Sequence, residues 1–284
     1  MGFDDDIALR AVSEDAWEGR IEGRWWTPRG PLGGFVMALV LRALEEAVGD
    51  AERQPRSLTV QFLRPPAEGP VTARPVVERS GRGLTNASAR LEQDGRLLAL
   101  ALATFARRRP GPQLTEGAMP EVAPPGDREA PRRELPGADT PNFVDLLSMQ
   151  MRFGSPPFSG ADSSVTGGWM GLRERRPVDA AALAVLAVLA VLAVLAVLAV
   201  LAVLADAWYP APWPRLTGLA PVPTVEMSVY FRAPLPLPDS LLLGRFRCAQ
   251  VRDGYFDEDG ELWAPDGTLV AQSRQLGILL GAEA

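Results

Sequence analysis

Residues 180–205 are apolar without exception, and from Leu183 to Leu204 a leucine stands at every third position of a Leu-Ala-Val triplet. Leu and Ala are strong helix formers, Val costs only a few tenths of a kcal/mol, and no Gly or Pro interrupts the run, so the triplets predict a helix. Three residues advance ~300° around a helix, so each leucine falls ~60° behind the last and the rod is apolar all round. Such a helix must be buried on every side or lie in lipid. A period of three fits neither a heptad nor an eleven-residue repeat, which argues against a simple coiled coil. At ~1.5 Å per residue the run is also long enough to cross a hydrocarbon core of ~30 Å. Arg173, Arg175 and Arg176 on one side and Trp208, Tyr209 and Trp213 on the other resemble interfacial anchors. Whether it crosses a membrane depends on whether its two flanks belong to one domain.

The composition removes several mechanisms. All 29 basic residues are arginine, and the chain has neither lysine nor histidine. A Ser-His-Asp or Cys-His nucleophile, a lysine Schiff base and a histidine metal site are therefore excluded, and no cofactor is expected. A net charge of −6 argues against bulk attraction to nucleic acid. Cys248 is the only cysteine, so no intrachain disulfide forms and a reducing, cytoplasmic setting is expected. Cys248 reads as an inert buried thiol inside a strand. The acidic start (Asp4, Asp5, Asp6) lacks the pattern of a signal peptide.

The remainder divides into two halves around a stretch, 107–141, that opens on three arginines in a row (Arg107, Arg108, Arg109) and carries eight prolines. That composition predicts an extended connection, with the arginines as its solvated end and a phosphate-meeting patch as the minor alternative. Before it, Gly33 and Gly34 open a helical stretch, Phe35–Val48, whose polar side carries Arg42, Glu45 and Glu46. Strand-like segments follow at Ser57–Leu63, Val71–Arg79, Leu84–Leu91 and Arg96–Phe105, with Asp94-Gly95 as a hairpin turn. After it, the triplet helix precedes strand-like Thr224–Arg232, Leu241–Val251, Tyr255–Trp263 and Leu269–Leu280, with Asp266-Gly267 at the last hairpin. Val60-Gln61-Phe62 with Pro65 parallels Val229-Tyr230-Phe231 with Pro234, and Phe62 to Asp94 spans 32 residues against 35 from Phe231 to Asp266. These parallels predict an internal duplication. The expected division is 1–108, a linker over 109–141, and 142–284 with the apolar helix at about 179–208.

With those features the chain resembles the acyl-CoA thioesterase II family. The stretch Thr224-Val-Glu-Met-Ser-Val-Tyr-Phe-Arg-Ala-Pro234, the Gln275-Leu-Gly277 triplet and Leu204-Ala205-Asp206 carry the resemblance. It implies an α+β double hotdog, that is, two repeats of a helix wrapped by an antiparallel sheet, here with the second central helix greatly extended. It implies hydrolysis of a fatty acyl-CoA, with Asp206, Thr224 and Gln275 as the catalytic trio. That chemistry needs an activated water and an oxyanion site, and neither requires histidine. The residue types suit it: a carboxylate to take or orient a proton, a hydroxyl and an amide to hold water. Gly33 and Gly34, at a helix start, are candidate substrate-binding positions through their N–H groups, or else make room for close helix–sheet packing. Read without the resemblance, Asp206 is a polar residue ending an apolar helix, Thr224 an ordinary strand residue and Gln275 an edge-strand polar residue.

Placed in this frame, strand-like Ser164–Arg173 and the strands after Thr224 share one sheet, so both ends of the rod lie on one side and a single membrane crossing is disfavoured. The run reads instead as six extra triplets, ~18 residues and ~5 whole turns, which keep Asp206 in helical phase. An exposed rod of this size would aggregate, so self-association of rods from several subunits is expected. Two other readings stand beside the enzyme: a non-catalytic acyl-binding or assembly protein, and a membrane-associated hotdog protein.

Overall fold

The computed structural model describes residues 2–128, 141–174, 198–233 and 240–281. In the first half, a short helix α1 (Phe3–Asp6) precedes strands β1 (Arg10–Ser13) and β2 (Ala16–Ile21) and a two-residue pair, β3 (Trp26–Thr27) and β4 (Gly30–Pro31). Helix α2 (Gly33–Val48) then leads into β5 (Arg53–Phe62), β6 (Gly69–Ser80), β7 (Leu84–Gln93) and β8 (Arg96–Arg107). In the second half come β9 (Leu147–Phe153), β10 (Val165–Leu172), helix α3 (198–206), β11 (Thr224–Phe231), β12 (Leu242–Arg247), β13 (Val251–Arg252), β14 (Tyr255–Trp263) and β15 (Leu269–Ile278).

The duplication is written in the sheet. Reading outward from a central seam, one half runs β5-β8-β7-β6-β2-β1 and the other β11-β15-β14-β12-β10-β9, all antiparallel, with β13 against β14. The halves join where β5 pairs with β11. Aligning Val60–Phe62 with Val229–Phe231 makes Thr59 the counterpart of Ser228, and these two residues are paired across the seam. Their hydroxyls lie 2.8 Å apart, so a pseudo-two-fold axis passes between them.

Most elements follow local chemistry. Asp94 and Gly95 both take positive φ (49° and 72°), the backbone a two-residue hairpin requires. Asp253-Gly254, with φ of 54° and 78°, makes a second such hairpin between β13 and β14, and the expected strand Leu241–Val251 is interrupted at 248–250 into β12 and β13. Helix α2 buries Phe35 to Leu41, Ala43 and Leu44, and ends on Gly49 at φ 60°. Glu45, assigned to its polar side, is instead buried and held by Arg42 at 2.9 Å, and burial pushes its pKa up to about 8. Strands β1, β2 and β9 lack a strong alternating pattern and were not expected from the sequence.

The described end of the triplet run is helical. Leu198 to Ala205 are all buried within this chain, so for these residues intramolecular packing meets the demand for cover on every side. The rest of the expected extended helix, residues 179–197, lies outside the described residues. Among the described residues no helix is long and apolar enough to cross a membrane. Cys248 sits beyond the end of β12, half-buried rather than inside a strand, and burial pushes its thiol up to about 11, so it is not activated.

Candidate active site

Asp206 is the last residue of α3, and its carboxylate reaches the N-terminus of α2. The Gly34 N–H donates to its Oδ2 at 2.8 Å. This contact requires close approach: a Cβ on Gly34 would lie 2.6 Å from the Ala202 carbonyl oxygen and 2.8 Å from Val203 Cα. Gly33 is tight as well, its virtual Cβ lying 3.0 Å from Asp206 Oδ2 and 3.2 Å from the Phe62 ring. Gly34 is thus required for close packing, but of helix against helix rather than of helix against sheet as expected. The Gly34 N–H, a candidate for substrate, is spent on Asp206, and only Gly33 lines the cavity below.

Two opposing effects set the basicity of Asp206. Burial raises its pKa to about 6 from an ordinary 3.8, while the amides of Gly34 and Gly33 hold it from going higher. It is thus a stronger base than a free carboxylate. The chain beyond it is pinned in place: Trp208 Nε1 donates to Thr166 Oγ1 at 3.1 Å, and the Tyr209 hydroxyl donates to the Ser155 carbonyl at 3.0 Å.

Thr224 and Gln275 meet across the sheet. Gln275 lies on β15, between β11 and β14, and is buried, so it is not an edge-strand residue. It pairs with Met227, which faces the core together with Val229 and Phe231. Simple alternation from Met227 would turn Thr224 to the opposite face. A register shift between Thr224 and Glu226 re-aims it, and its hydroxyl donates to Gln275 Oε1 at 3.1 Å. Gly277, two residues on, is needed because a Cβ there would lie 2.4 Å from the Phe256 ring.

One site residue escaped the sequence reading. Glu258, on β14 opposite Gln275, is buried and accepts from Gln275 Nε2 at 2.9 Å. Its other oxygen accepts from the Ala211 N–H. Burial, reinforced by the negative charge of Asp206, pushes its pKa up to about 8 despite these donors. The hydrogen bonds form one directed chain, in which Glu258 fixes the Gln275 amide so that Oε1 faces Thr224. The available signal was the acidic run Asp257-Glu258-Asp259 on a strand with alternating burial, which forces its central member inward.

Asp206, Thr224, Gln275 and Gly33 all line one cavity of about 980 Å³. Its walls are largely apolar, with Val36, Phe62, Phe143, Leu147, Met149 and Trp208. Arg29 and Arg64, both exposed, also line it. No group of three or more metal-ligating side chains occurs among the described residues.

The chain is similar to known proteins over nearly its whole length. Residues 22–106 match the family described as acyl-CoA thioesterase N-terminal domain, and residues 120–279 match acyl-CoA thioesterase C-terminal domain. A conserved protein of unknown function with hot dog fold from Alicyclobacillus acidocaldarius is 29% identical, with a TM-score of 0.81 over 99% of this chain and 98% of that one. A candidate thioesterase II from Thermobifida fusca is 25% identical, with a TM-score of 0.75 over 98% and 97%. An acyl-CoA thioesterase II from Mycobacterium marinum, 20% identical with a TM-score of 0.75 over 98% of both chains, shares the fold. No curated protein matches the chain. With its two helix-and-sheet repeats, the fold is a double hotdog.

Proposed function

This chain belongs to the acyl-CoA thioesterase family and is a thioester hydrolase, and on that premise we propose that it cleaves a fatty acyl-CoA with Asp206 as general base. The observation that carries the reading is the convergence of a half-buried carboxylate of raised pKa with the Thr224–Gln275 pair on one apolar cavity. Water is held between the Asp206 carboxylate, the second N–H of Gln275 and the lone pairs of Thr224, whose own proton is committed to Gln275. As the water oxygen bonds to the thioester carbonyl carbon, its proton passes to Asp206. The negative charge that develops on the carbonyl oxygen faces the positive end of α2 near Gly33. The C–S bond then breaks, the thiolate takes the proton back from Asp206, and a fatty acid and coenzyme A leave. Arg29 and Arg64 at the cavity wall suit the phosphates of coenzyme A, and the apolar wall suits the acyl chain.

Glu258 acts as a positioning residue, holding the Gln275 amide in the one orientation that serves Thr224. The triplets at 183–197, whose apolar surface needs cover, are assigned to self-association; this part of the reading rests on their sequence. The single cysteine is compatible with the expected cytoplasmic setting.

The test is hydrolysis of acyl-CoAs of graded chain length, followed by release of free thiol. Asp206→Asn is expected to lose about 10²–10⁴-fold in kcat, the usual contribution of a positioned base. Near-normal turnover by this variant, with wild-type protein active, would remove Asp206 from the chemistry.

A further inference from the structure

The pseudo-two-fold axis gives the strand residues of the site counterparts in the other half, and those counterparts carry no group that could hold or activate a water. In the alignment that pairs Thr59 with Ser228, Thr224 corresponds to Pro55 and Met227 to Leu58. Gln275 pairs with Met227 and Glu258 with Gln275; correspondingly, Ala103 pairs with Leu58 and Ala87 with Ala103. The counterparts of Thr224, Gln275 and Glu258 are thus Pro55, Ala103 and Ala87, all buried and without a polar side-chain atom.

The second position nevertheless keeps a cavity, and at about 2170 Å³ it is the larger of the two. It is the counterpart of the first, since Pro55 and Phe231 line it where Thr224 and Phe62 line the other. Its character has changed. Seven arginines line it against three carboxylates, in a protein whose net charge is −6. Arg56, Arg79, Arg82, Arg108 and Arg109 have no hydrogen bond or ion pair among the described residues. The remaining two are partly occupied, Arg107 by Asp50 and Arg232 by Gln272. Of the three carboxylates, Glu261 is taken by Arg245 and Asp266 by the Thr268 amide. Guanidinium groups gathered on one concave wall repel one another and focus a positive potential that a compact polyanion relieves. Their planar forks suit phosphate oxygens in particular.

We propose that this silent second cavity is a binding site for an adenine nucleotide carrying clustered phosphates, either a free nucleoside diphosphate or the nucleotide end of a coenzyme A molecule. Phosphates contact the arginine wall, and Phe231 and Leu84 supply an apolar surface for the rest of the ligand. The site binds without catalysing, because the residues that would act on a thioester are absent from it. The proposal rests on the cavity and on family membership, and not on the roles given to Asp206, Thr224 and Gln275.

Calorimetric titration of the full-length protein at low salt tests it, with ADP and free coenzyme A as probes. Wild-type protein should bind one equivalent of ADP and two of coenzyme A. The triple variant Arg79→Ala/Arg82→Ala/Arg108→Ala should bind ADP at least tenfold more weakly and retain one equivalent of coenzyme A. Its melting temperature should match wild type, because these side chains hold no ion pair. Tighter binding of coenzyme A than of ADP at the lost site assigns it to the substrate's own nucleotide end, and the reverse order to free nucleotide. Absence of ADP binding, or binding unchanged in the triple variant, overturns the proposal. Either result leaves the Asp206 assignment untouched, since that is read from turnover alone.

Discussion

Gly34→Ala sets two physical effects against each other. Within a helix Ala is ~1 kcal/mol better than Gly, so on propensity alone the change stabilises α2. The added Cβ, however, would lie 2.6 Å from the Ala202 carbonyl oxygen, 2.8 Å from Val203 Cα and 3.0 Å from Asp206 Cβ. The first two are backbone atoms of the turn that ends on Asp206, so no side-chain rotation relieves the contact. α3 must retreat by several tenths of an ångström, and overpacking of this kind costs ~1–3 kcal/mol. The steric effect wins or draws on stability, and it falls on the geometry that places Asp206. A displacement approaching 1 Å costs ~10²-fold in rate. Gly33→Ala is milder, because its nearest contacts, 3.0 Å to Asp206 Oδ2 and 3.2 Å to Phe62 Cζ, are side-chain ends that can shift. Acyl-CoA turnover and urea unfolding of both variants should therefore rank wild type above Gly33→Ala above Gly34→Ala. Wild-type turnover and raised stability in Gly34→Ala would refute the argument that helix contact positions the base.

Three further outcomes follow from the site. With the Asp206 pKa at about 6, kcat/KM should rise tenfold per pH unit below that value and level off above it, and Thr224→Ala should lower the plateau without moving the limb. Glu258 is raised to about 8 from 4.5, so the folded state holds its proton more tightly; the stability this gives is complete below about pH 4.5 and lost as pH rises through 8. Urea melts of Glu258→Gln should then fall less than wild type between pH 6 and pH 9, the remaining slope belonging to Glu45, while costing ~1–3 kcal/mol at pH 6 because one N–H donor meets an NH₂ group. Deleting residues 180–197 removes ~5 whole helical turns and keeps both the buried end of the run and its phase; light scattering should show a smaller assembly that still turns over acyl-CoA, and an unchanged mass would end the self-association reading.

The sequence by itself determined the parts that depend on near neighbours. The Asp94-Gly95 turn, helix α2, the strands at 224–231 and 255–263, and the duplication linking Val60–Phe62 to Val229–Phe231 were legible because turn chemistry, helix propensity and alternation act over a few residues. The absence of histidine and lysine limited the chemistry before any fold was known. Only the tertiary structure decided how distant residues are faced and charged. Alternation alone turns Thr224 away from Gln275, and the irregular register at β11 brings it back. Glu258 and Glu45 look like solvated carboxylates in sequence, yet both are buried, since what surrounds them arrives from other segments. Asp206 ends an apolar run in the sequence, but its pKa is raised by desolvation and held back by the N-terminus of a helix about 170 residues earlier, and no local pattern encodes either.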